Sequence, residues 1–76
     1  MESYYRTKDL SEAAYLYATH KKIAKCEVDN KRVCFVFEDK PSCEILAKSL
    51  WRKEATVNVR DFVDSLRTLK DILHNR

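Results

Sequence analysis

The chain contains no glycine in 76 residues. Phosphate-cradling loops and the strained turn of a GxSxG hydrolase both need backbone that glycine adopts at little cost, so both are excluded. Long apolar runs are missing too: none approaches the roughly 18 residues of a membrane span. The opening MESYYRTKDLSEA has neither the basic start nor the apolar middle of a signal peptide. A cytoplasmic protein without membrane contact is therefore expected. Cysteine is sparse and odd in number. Cys26, Cys34 and Cys43 are spaced too widely for a disulfide framework or for the close pairs of a zinc site, and a metal would have to recruit His20 and His74 from distant positions. Three free thiols, no metal and no cofactor are the expectation. Charge of one sign is also lacking, since 15 basic against 12 acidic residues leave a net charge of only +3, too little by itself to imply nucleic acid. With these routes closed, an enzyme is not expected.

What the chain does contain is apolar residues at 45%, ordinary for a globular domain, in a length suited to one domain over residues 1–76. SYYRT at 3–7 is short and β-prone. Asp9 with Glu12 three positions later resembles a capping box opening a helix from about Leu10 to His20. Leu10, Ala13, Ala14 and Tyr17 form its inward stripe, with Tyr15 on the opposite side. From Ile23 the period becomes two, and KCEVDNKRVCFVF reads as a hairpin turning at Asp29 to Arg32, with Asn30 accepting positive φ. Pairing Val28 with Val33 puts Ala24, Cys26 and Val28 on one face with Val33, Phe35 and Phe37. Cys34 and Val36 then lie on the other, beside Lys25 and Glu27, so Cys26 and Cys34 cannot pair. A helix opens near Asp39 with Pro41 in its first turn and carries Cys43, Leu46, Ala47, Leu50 and Trp51 on one stripe. Asn58, with Asp61 three residues on, caps a last helix whose apolar face is Val59, Phe62, Val63, Leu66, Leu69 and Leu73.

Assembled, these elements give an α+β fold in order β-α-β-β-α-α: a two-layer arrangement with a three-stranded antiparallel sheet, split β-α-β, and three helices packed on one face. The strand at 33–38 becomes the centre. Phe35, Phe37, Leu46, Leu50, Phe62, Leu66 and Tyr17 are the expected core. YRTKDL at 5–10, FVFED at 35–39 and FVDSLRTLKDIL at 62–73 resemble an uncharacterised family of small prokaryotic and phage-borne proteins, a domain of unknown function. That resemblance implies a one-domain α+β protein and carries no activity, cofactor or catalytic residue.

Several side chains invite a functional reading. Glu44 with Lys48, Arg60 with Asp64 and Arg67 with Asp71 are i,i+4 pairs of exposed helix faces, not catalytic dyads. Lys70 falls within the last helix's apolar stripe and is expected to snorkel past it. Tyr15, Cys34, Val36, Ile45 and Ile72 are left outside the inferred core. These residues favour a small non-enzymatic protein-interaction module, with a second copy or another protein covering the reverse face of the sheet at Cys34 and Val36. Cys34 is then expected to alkylate faster than the inward Cys26. The alternative is a nucleic-acid-binding domain using the basic hairpin edge of Lys21, Lys22, Lys25, Lys31 and Arg32. A solvated edge that discourages strand-to-strand aggregation explains those lysines as simply.

Overall fold

The computed structural model describes residues 3–74, the Asp29 side chain excepted. Its elements are β1 (Tyr4–Thr7), α1 (Leu10–Ala18), β2 (Ile23–Asp29), β3 (Arg32–Glu38), α2 (Lys40–Trp51) and α3 (Val59–His74). The sheet is antiparallel in the order β1-β3-β2. The expected α+β fold and element order are therefore both present, with β3 at the centre.

The hairpin register follows the predicted pattern. Val28 pairs with Val33, Cys26 with Phe35 and Glu27 with Cys34. One residue departs from it: a register shift between Ile23 and Lys25 bulges Ala24 out of the ladder. Ala24 is exposed instead of inward, and Ile23 takes the place opposite Phe37 and packs on the core. A bulge on an edge strand also blunts it against pairing with another chain.

Phe35 and Phe37 meet Ala13, Ala14, Leu16, Cys43 and Leu69 in the central cluster. Leu46, Phe62 and Leu66 pack around it half-buried. The helix layer is ordered by α1, which packs closely on α3 and also touches α2, while α2 leans on β1 and β3. Extents of 33 × 32 × 18 Å are those of two layers.

Because α1 has neighbours on more than one side, its buried arc is wider than a single stripe. Tyr15 is only 4% exposed and Leu16 is fully buried, whereas Tyr17, expected in the core, is 37% exposed. The stripe assigned to α3 was too broad. Phe62, Leu66, Leu69 and Leu73 face inward, but Val59 is 77% exposed and Lys70, three turns further on, is exposed as well.

Without glycine, left-handed backbone falls to His20, Asn30, Lys31, Asp39 and Lys53, all with φ between 51° and 72°. His20 and Lys53 terminate helices. Lys21 N–H bonds back to Leu16 carbonyl and Glu54 N–H to Ser49 carbonyl, the closure that usually places glycine at the left-handed position. Asn30 and Lys31 make the two-residue hairpin turn. Each such residue pays about 1–2 kcal/mol for its Cβ. Lys31→Gly and Lys53→Gly should each stabilise the protein by about 1 kcal/mol after the entropy of glycine is counted, raising Tm by about 4–8 °C in thermal denaturation followed by circular dichroism. An unchanged or lower Tm would show that the lysine side chains offset the strain.

Candidate functional site: the cleft beside Trp51

Asp9 caps α1, its Oδ1 accepting from Glu12 N–H at 3.0 Å. A full capping box would turn the Glu12 carboxylate back to the Asp9 N–H. That amide instead donates to Thr7 Oγ1 at 3.1 Å, and the carboxylate is released for longer-range work. Glu12 is 4% exposed. Its Oε1 accepts from Tyr5 Oη–H at 2.7 Å and its Oε2 from Trp51 Nε1–H at 2.9 Å. One carboxylate on α1 thus holds β1 and the end of α2. Burial, and then the bond to Glu12, push the Tyr5 phenol well above its ordinary range.

Trp51 was expected inside the α2 stripe. Cys43 and Ala47 are buried and Leu46 and Leu50 half-buried, but Trp51 is 68% exposed. Its N–H reaches Glu12 while the ring lies open, beside a cleft of about 800 Å³ that also touches Tyr5, Thr7, Lys8 and Arg32. Sequence periodicity placed the residue near the apolar arc; it carried no sign that a buried carboxylate waits for the indole N–H. Ile45 is also 68% exposed. Lys48 stands three residues from each and Arg52 four beyond Lys48, all exposed, so Ile45, Lys48, Trp51 and Arg52 form one continuous strip on the outer side of α2.

The reverse face of the sheet departs from expectation. Val36 is fully buried and Cys34 only 7% exposed, although neither belongs to the cluster under the helices. The register explains the cover: Arg6 on β1 and Lys25 on β2 both pair with Val36, and Glu27 pairs with Cys34. Arg6 Nε lies 3.3 Å from Glu27 Oε1, and Lys25 Nζ 3.3 Å from Glu27 Oε2. Three charged side chains therefore close over the central strand with their apolar stems. The hydrogen bonds from Lys25 and then Arg6 hold the Glu27 carboxyl below its usual range. Of the five residues expected outside the core, Tyr15, Cys34 and Val36 are buried and Ile72 packs against the core; Ile45 alone is largely exposed.

The basic residues do not form one surface. Lys21 is half-buried with Nζ 3.9 Å from Asp39 Oδ2, and Lys25 is engaged with Glu27. Lys31 and Arg32 sit at the hairpin tip, roughly 20 Å from Lys22 by the strand rise. A second groove, of about 750 Å³, runs between the end of α1 and α3, with Lys21 and Lys22 on one wall and Asp61 and Asp64 on the other. Among the described residues no cluster of His, Cys, Asp or Glu is arranged to hold a metal, and no helix is long and apolar enough to cross a membrane. None of the three helical i,i+4 charge pairs closes into an ion pair among the described residues.

Cys26, Cys34 and Cys43 are thiols outside any disulfide, and burial pushes the Cys43 thiol up. The half-buried Cys26 should now alkylate before Cys34 and Cys43, and Glu27→Ala should speed Cys34 by loosening its cover; native-state alkylation read by mass spectrometry checks both, and a faster Cys34 in the unaltered protein would show the reverse face open. Tyr5→Phe leaves Glu12 short of a donor and should cost about 1–3 kcal/mol. The raised phenol pKa means that the Tyr5 contribution is complete below the ordinary phenol range and lost only as pH rises through the folded value. Alkaline titration of tyrosine absorbance should therefore lose a late step in Tyr5→Phe, and an unchanged titration would contradict the Glu12 bond.

Comparison with curated proteins and with solved structures gives no match. Residues 2–75 match a family described as a domain of unknown function, DUF5659, and the chain, whose resemblance to an uncharacterised family was carried by its strand and helix motifs, belongs to it.

Proposed function

We propose that the protein is a small non-enzymatic protein-interaction module whose contact surface is the outer side of α2. The observation that carries this reading is Trp51, 68% exposed yet fixed by its N–H on a buried carboxylate. Tryptophan is the side chain most often found as an interface anchor, and one already held in place loses less freedom on binding. Ile45 beside it, equally exposed, is the one member of the sequence-derived interface set that stands ready for contact. The motive for a second copy on the reverse face goes with the burial of Cys34 and Val36. The carboxylates of the Trp51 cleft serve the fold: Glu12 holds Tyr5 and Trp51, Asp9 caps α1, and Glu27 pairs with Arg6 and Lys25.

Nucleic-acid binding remains the competing class. The test is a photo-crosslinking residue placed at Ile45 and, as control, at Val28, which is 56% exposed on the sheet, with the protein expressed in its native host. A discrete protein adduct should form from position 45, be absent from position 28 and be lost with Trp51→Ala. Equal behaviour at the two positions overturns the reading. So does a salt-sensitive affinity for DNA or RNA that Lys22→Glu with Lys31→Glu abolishes.

A further inference from the structure

We infer that the occupant of the α2 surface is an acidic amphipathic helix of a partner protein, its apolar residues meeting Ile45 and Trp51 and its carboxylates meeting Lys48 and Arg52. The inference rests on the interaction reading above and names the chemistry of the partner. Ile45 and Trp51 are six residues apart, about 9 Å along the helix axis and about 120° around it, on a diagonal i, i+3, i+6 ridge with Lys48 midway. A partner must then offer two apolar groups at about that spacing with negative charge between and beside them. Residues at i and i+7 of a helix, flanked by Glu or Asp, meet this requirement when two helices pack ridge into groove.

The charge of the surface has a definite sign. Lys40, Lys48, Arg52 and Lys53 are exposed against Glu44 and Glu54 within or just after α2, and among the described residues none of these six side chains is drawn into an ion pair. Cations near a helix C-terminus also complement its dipole. That accounts for Lys48 and Arg52 taken alone. It does not account for two large apolar side chains held in solvent beside them. A phosphate backbone gives Ile45 nothing to contact.

Trp51 is the only tryptophan, so its emission reports on this surface without labelling. The probe is a stapled helical peptide of about 20 residues, long enough to span α2, bearing Leu at i, i+3 and i+7 with Glu on both flanks. An otherwise identical peptide with Lys in place of Glu, vesicles of phosphatidylglycerol and a mixed-sequence oligonucleotide form the other arms. The acidic peptide should shift Trp51 emission to the blue in a saturable titration. Lys48→Glu with Arg52→Glu, both exposed positions, should weaken it about tenfold or more and admit the Lys peptide, and Ile45→Ala should weaken it several-fold; circular dichroism confirms that each variant is folded. Equal binding of both peptides, no shift with the acidic one, or a shift produced by vesicles or oligonucleotide in its place overturns the inference. If crosslinking from position 45 succeeds while the acidic peptide fails, the partner chemistry falls and the interaction reading stands.

Discussion

The structure turns on one buried carboxylate. Glu12 sits in the first turn of α1 with 4% of its surface exposed, and a charge in that position is tolerated only if donors replace the water it has lost. Tyr5 and Trp51 supply them, from seven residues before and 39 after. The carboxylate therefore fixes the first strand against the first helix and ties the last residue of α2 to both. The consequence runs outward as well as inward: the indole N–H that Glu12 Oε2 accepts comes from a ring that is otherwise 68% exposed.

A second constraint acts on the connections. With no glycine available, five of the described residues, each bearing a Cβ, accept left-handed backbone, and all five stand at helix ends or in the hairpin turn. The strain is confined to places where the chain must reverse, so the helices and strands themselves stay regular. Asp39 shows the economy of the arrangement. It holds φ 65°, caps α2 by accepting from Ser42 N–H, and lies 3.9 Å from Lys21 Nζ, so a single strained residue ends the sheet, starts a helix and neutralises a lysine.

Much of this was legible in the sequence because it is local. The hairpin register follows from pairing Val28 with Val33 across a turn centred on Asn30, and the starts of α1 and α3 follow from Asp9 and Asn58, whose side chains accept from the N–H three residues on. What was not legible depends on neighbours distant in the chain. Val36 looks uncovered until Arg6, from another strand, is known to reach Glu27 across it. Tyr15 looks peripheral until α1 is known to have helices on more than one side. Trp51 fits an apolar stripe by spacing, and only the position of Glu12 draws its N–H one way and leaves the ring the other. The candidate site was missed for the same reason, apart from Ile45, whose exposure a single helical wheel suffices to show.

The distribution of ion pairs separates the surfaces by role. On the sheet, Arg6, Glu27 and Lys25 are joined beside the buried Val36 and Cys34; Cys34 reaches the wall of the Trp51 cleft. On α2, Lys48 and Glu44 are one turn apart and still form no pair, although an isolated helix would gain only a few tenths of a kcal/mol by closing it. Charges already engaged with each other must be separated before they can serve a partner, and that separation offsets what the partner gives; charges held apart carry no such cost. The sheet face is thus finished by its own side chains, whereas the outer side of α2 presents a fixed aromatic ring, an isoleucine and unengaged cations together. Under the interaction reading proposed above, such a surface would draw its affinity from the apolar pair and its choice of partner from the sign of the charges around it.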